Sequence, residues 1–193
     1  MKQQLMFLMG MLCLFLIGCK KSMNYDDLVL YINNPENGLV QTKESGDVKC
    51  KLTFKPASVM LYDEFGNKQD SLFIAKEKAY RRFYYFVLNL SGKNGDVLYG
   101  NENFSEKLNK FTFGLGSIAY MTTNKNDTIS LADYYTPNLY GMSKSTSVLL
   151  AFEKPSKESE SITIHLSDLG AGSKTFEFIR KDLDNIPQLL TEL

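Results

Sequence analysis

Val48-Lys49-Cys50-Lys51-Leu52-Thr53-Phe54-Lys55 alternates without a break. Val48, Cys50, Leu52 and Phe54 fall on one face, and Lys49, Lys51, Thr53 and Lys55 on the other. Side chains of an extended strand point to opposite faces in turn, so the pattern predicts a strand with one face buried and one wet. Just upstream, residues 39–43 form the other arm of a hairpin that turns at Glu44-Ser45-Gly46-Asp47. Downstream, residues 82–90 read RFYYFVLNL. A nearly continuous run of aromatic and branched residues predicts a central strand covered on both faces.

Working outward, residues 28–32 are a short apolar run that predicts a strand, and Pro35-Glu36-Asn37-Gly38 is a turn. Residues 56–65 predict a helix, with Pro56 suited to its first turn and Gly66 at its end. Residues 70–79 predict a second, capped by Asp70 or Ser71. Residues 101–110 predict a third, because Phe104, Leu108 and Phe111 recur at i, i+4 and i+7. Strands are expected at 112–122, 128–131, 145–153, 161–166 and 174–180, with a helical turn before Pro187. Short strands at this spacing predict a mainly β (α+β) fold: a β-sandwich-like domain with two or three short helices.

The first nineteen residues carry a different signal. Lys2 is the only charge before Lys20, and LMFLMGMLCLFLI fills positions 5–17. A basic start, a short apolar run and a small residue at the exit make up a secretory signal peptide. The run is shorter than the roughly 20 apolar residues a membrane-spanning helix needs. Leu16-Ile17-Gly18-Cys19 resembles the lipobox of bacterial lipoproteins. The resemblance implies cleavage before Cys19 and acylation (palmitate among the chains) of its thiol. It also implies stable anchoring through more than one chain. Lys20 and Lys21 would then meet anionic head groups; the resemblance further implies the outer membrane, because the aspartate that retains many such lipoproteins at the inner membrane does not follow Cys19. The expected organisation is a lipoprotein signal peptide at 1–18, a short tether at 19–27 and a single globular β-rich domain at 28–193.

Lys and Arg number 22, as do Asp and Glu. With no basic excess, nucleic acid is not an expected partner. Once Cys13 leaves with the signal and Cys19 carries lipid, Cys50 is alone and has no internal disulfide to make. At an apolar strand position it reads as a small buried hydrophobe.

The only histidine, His165, shares the wet face of its strand with Ser161 and Thr163. A zinc site of His and Cys lacks ligands, no Gly-x-Ser-x-Gly or Ser-x-x-Lys occurs, and neither phosphate-binding glycine motif is complete. No catalytic residue, metal or cofactor is therefore expected. A carboxylate pair would still hydrolyse glycosidic bonds without histidine, and Asp63, Glu64, Asp133, Glu153 and Asp168 lie nearest apolar sequence. Asp133-Tyr134-Tyr135-Thr136-Pro137-Asn138-Leu139-Tyr140-Gly141 reads as an interstrand loop. Tyr134, Tyr135 and Tyr140 are its candidate binding residues, because tyrosine offers rigid contact area with a polar tip. Otherwise the rings cover a core edge. Asp70-Ser71-Leu72 and Asp127-Thr128-Ile129 resemble the acceptor triplet of an O-glycosylation system on exported proteins.

Tyr31-Ile32-Asn33-Asn34-Pro35-Glu36-Asn37-Gly38-Leu39, with Thr53-Phe54-Lys55-Pro56, resembles the openings of uncharacterised lipoproteins of anaerobic Gram-negative bacteria. That resemblance implies an envelope location and no particular activity. The expected role is a lipid-anchored, non-catalytic binding or accessory protein whose partners are the membrane and an envelope protein or glycan. The alternatives are a carboxylate-dependent glycan hydrolase and an immunity-type protein against a secreted toxin.

Overall fold

The computed structural model describes residues 22–68, 70–93, 95–96, 106, 109–137, 145–167 and 172–190. The hairpin is present as β2 (Val40–Ser45) and β3 (Val48–Lys55). Its two-residue turn places Gly46 at φ 56°, a conformation glycine adopts without penalty. Next come β4 (Phe83–Gly92), with the short β5 (Gly95–Asp96) beside it, β6 (Ala119–Thr123) and β7 (Thr128–Tyr135). Then follow β8 (Thr146–Glu153), β9 (Ser161–Leu166) and β10 (Lys174–Ile179). They form one antiparallel sheet in the order β10-β9-β6-β7-β8-β4-β3-β2.

The sheet curls until its two edges meet. The Gln41 amide of β2 donates to the Glu177 carbonyl of β10, and the Lys43 ammonium lies 5.7 Å above the Phe176 ring. The fold is thus mainly β, as expected, and the facing layers of the expected sandwich are two halves of a single sheet curled nearly into a barrel. Edge closure also protects backbone groups that would otherwise be open to pairing. The halves meet through aromatic rings: Phe86 of β4 meets Phe178 of β10 at 5.0 Å, and beside it Phe86 packs on its cross-strand neighbour Phe54 of β3 at 5.4 Å. Burying one such ring contributes about 1.5–3 kcal/mol.

β3 buries Cys50, Leu52 and Phe54 as the alternation requires. Its other face is drier than expected, since Thr53 is also buried. β4 is covered on both faces: Tyr84, Phe86, Leu88 and Leu90 point inward, and Tyr85 is buried on the outside. There it packs edge-on against Tyr80, 5.6 Å away.

Residues 28–32 are helical rather than extended. They belong to α1 (Tyr25–Asn33). The Asn24 side chain accepts from the Asp27 amide, and Asp26 and Asp27 sit in the first turn, where the helix dipole favours acids. Leu28 and Ile32, four apart, enter the core together. Residues 22–27, read as part of a tether, carry the first helical turn and β1 (Ser22–Met23). β1 pairs in parallel with β11 (Gln188–Leu189). A 3-10 turn over Pro35–Asn37 ends at Gly38, where φ is 70° and an added Cβ would meet the Asp182 carboxylate at 3.0 Å.

The other expected helices are α2 (Ala57–Phe65) and α3 (Ser71–Tyr80), the latter capped by Asp70 through the Phe73 amide. The strand expected at 112–122 keeps only its second half. Lys110–Gly114 form a π-helical turn that runs into α4 (Leu115–Ile118), because Phe111 and Leu115 reach the core from successive helical turns. Most of the helix expected at 101–110 lies outside the described residues; Glu106 and Asn109 are helical. The tail forms α5 (Arg180–Asp184), the anticipated turn before Pro187.

Candidate functional site

An open cleft of about 430 Å³ lies between α2, α3, the start of β4 and the C-terminal segment around β11. α3 supplies Phe73, Glu77 and Arg81 to it, four apart and hence on one side of the helix. Phe83 and Leu189 continue the apolar surface, while Lys154 and Asp184 add charge.

Of the charged residues, Asp184 and Lys154 belong to a network that runs behind the cleft to Tyr84 and Arg180, which do not line it. The buried Tyr84 hydroxyl donates to Asp184 Oδ1 at 3.0 Å, and Arg180 Nε donates to Asp184 Oδ2 at 3.2 Å. Arg180 Nη1 also donates to the Lys157 carbonyl at 3.0 Å. Both Asp184 oxygens therefore have donors. The Lys154 ammonium lies 4.9 Å above the Tyr84 ring, a cation–π geometry. Burial, followed by the charge of Asp184, pushes the Tyr84 phenol up to about 12. Burial lowers the Lys154 pKa; Arg81 and Arg180 act in the same direction and Asp184 opposes them. The Tyr84 phenol therefore keeps its proton near neutrality. The cleft thus combines an apolar surface with both basic (Arg81, Lys154) and acidic (Glu77, Asp184) side chains.

The acids singled out from the sequence are each engaged separately. Asp63 accepts from the Tyr25 hydroxyl at 2.6 Å and pairs with Lys55 at 2.6 Å. Glu64 accepts from Tyr80 at 2.5 Å and pairs with Lys76 at 3.3 Å. Asp133 accepts from the Tyr134 amide, and Glu153 pairs with Arg82 at 2.9 Å. Asp168 lies outside the described residues. The hydroxyl of Tyr25 is pushed up to about 12, first by its hydrogen bond to Asp63 and then by burial. Among the described residues no cluster of His, Cys, Asp and Glu could hold a metal ion.

Asp133, Tyr134 and Tyr135 belong to the end of β7 rather than to a loop. Tyr134 is half-buried against the core, and its hydroxyl donates to the Thr112 carbonyl at 3.0 Å. That bond, with Thr136 Oγ1 donating to the Phe111 carbonyl at 3.2 Å, ties the π-helical turn to the strand. Tyr135 is 63% exposed, and on the π turn Phe113 is 79% exposed. Tyr140, like Cys19, lies outside the described residues. His165 is half-buried: its Nε2 is 2.9 Å from Thr122 Oγ1 and its ring stacks on Tyr120 at 4.5 Å. Cys50 is buried, and burial raises its thiol pKa. The cleft escaped sequence reasoning because its walls come from four separated segments. The only sequence signal was the i, i+4, i+8 spacing of Phe73, Glu77 and Arg81.

Fold and site together define a mainly β, nearly closed barrel with an amphipathic cleft. No family model and no curated protein matches the chain. Among solved structures it is similar to a novel protein of unknown function from Burkholderia pseudomallei K96243, a crystal structure at 1.90 Å resolution. The two share 10% identity with a TM-score of 0.39, over 83% of this chain and 86% of that one.

Proposed function

We propose that this protein is a lipid-anchored lipoprotein of the bacterial cell envelope, held at the outer membrane through Cys19, and that its role is binding or accessory rather than catalytic. The observation that carries this reading is Leu16-Ile17-Gly18-Cys19 at the end of a short apolar run with a single preceding charge. The non-catalytic part is supported by the cleft's acids, since Glu77 is paired with Arg81 and both Asp184 oxygens are taken up by Tyr84 and Arg180. No described helix is long and apolar enough to cross a membrane. The test is Cys19→Ser in the native host, followed by fractionation and labelled palmitate. The parent should take up label and sediment with membranes, and the variant should do neither. A parent without label, and a variant equally membrane-bound, would overturn the reading.

A further inference from the structure

α3 is built inside out. Toward the body it presents Phe73, which packs edge-on against Phe65 at 5.7 Å, and Lys76 and Tyr80, both bonded to Glu64. No residue of α3 is buried. Its exposed positions are Ser71, Leu72, Ile74, Ala75, Lys78 and Ala79. At about 100° per residue they fall in one continuous arc of roughly 160°. That arc is mostly apolar, with Leu72 55% and Ile74 64% exposed. A helix facing only water would carry the opposite pattern.

The location of the arc indicates what covers it. β11 and α3 line the same cleft. β1 pairs with β11, and the Leu190 amide donates to the Met23 carbonyl at 2.8 Å, leaving Leu190 55% exposed. Cys19 precedes Ser22 by three residues, at most about 10 Å of extended chain. A domain anchored at Cys19 thus holds this end against its bilayer. Lys78 on the arc, with Lys20 and Lys21 in the connecting chain, complements anionic head groups.

We infer that the outward face of α3, with Leu190 beside β11, lies in the interface of an anionic bilayer. Leu72 and Ile74 enter the boundary of the acyl chains and Lys78 stays at the head groups, the arrangement of an interfacial helix. The inference rests on the lipid-anchor reading for its orientation.

The chain contains no tryptophan, so one introduced indole reports its own surroundings. Leu72→Trp, Ile74→Trp and Leu190→Trp, with Phe113→Trp as a reporter on another exposed site, are made one at a time in the full acylated chain. Each is reconstituted into phosphatidylcholine vesicles containing phosphatidylglycerol with brominated acyl chains. Emission at 72 and 74 should shift to the blue and fall roughly two-fold, with a smaller effect at 190 and none at 113. Unquenched emission at 72 and 74, in protein that intact mass shows to be acylated and that floats with the vesicles, overturns the membrane face while leaving the anchor standing. Equal quenching at 113 overturns it as well, as does shielding of 72 and 74 by a second copy in cross-linked dimers. Quenching at 72 and 74 in a chain whose mass shows no acyl group supports the face and overturns the anchor.

Discussion

α1 and α3 are helices of nearly equal length, each capped by an Asn or Asp side chain, yet they are held by different forces. α1 drives Leu28 and Ile32 into the common core. α3 has no fully buried residue and turns Leu72 and Ile74 outward, and it is retained by the Asp70 cap, the Lys76–Glu64 pair and ring contacts of Phe73 and Tyr80. Burial of aliphatic groups is worth several times an exposed ion pair. One helix is therefore part of what makes the domain fold, while the other is a surface element with an exposed apolar arc.

The difference is broken most severely at Leu28. Leu28→Ala should lower global stability by about 3 kcal/mol in urea unfolding, because its cavity opens in the shared core. A loss below about 1 kcal/mol would mean that α1 is as peripheral as α3.

The tyrosines that bind the helices to the barrel sharpen the comparison with pH. Tyr84, in the core, is raised from 10.0 to about 12 by burial and Asp184. Tyr80, on α3, is raised to about 12 by burial and its bond to Glu64. A raised phenol pKa means that folding favours the neutral form. That stabilisation is fully present below pH 10 and is lost as pH rises from 10 toward 12. Tyr84→Phe should cost about 1 kcal/mol at neutral pH and make the alkaline decline shallower. An unchanged pH profile would show that Tyr84 is not linked to folding.

Removing the caps gives smaller effects that land in different places. Asn24→Ala should lower global stability by about 1 kcal/mol, whereas Asp70→Ala should speed amide exchange within α3 while leaving the urea midpoint almost fixed. Equal shifts in that midpoint would erase the distinction. The smallest change is expected at Leu72→Ser, within about 0.5 kcal/mol, since the side chain it removes is already solvated. A large loss there would place Leu72 in intramolecular packing.

The hairpin and the central strand were legible because alternation in Val48–Lys55 and continuous apolarity in RFYYFVLNL are local consequences of how strands bury side chains. α1 was misread as a strand because five apolar residues suit either periodicity, and the deciding signals, Asn24 and two acids, lie just upstream. The π turn was hidden for a related reason. Phe111, Phe113 and Leu115 also alternate, and only the packing of Phe111 and Leu115 into the core selects the helical alternative. Of the tyrosines offered for binding, Tyr134 is occupied by a main-chain bond that no local pattern signals, while Tyr135 is exposed.

By itself the sequence determined most of the strands, the helices α2 and α3 with the Asp70 cap, and a mainly β class. Each follows from periodicity and capping, which act over a few residues. Tertiary structure alone decided that the sheet curls until Gln41 meets Glu177, and that Asp184 reaches Tyr84 across one hundred positions. It likewise turned α3 with its apolar arc away from the core. These features depend on which segments meet in space. Contacts between distant segments are selected by the packing of the whole core and leave no periodic trace in the chain.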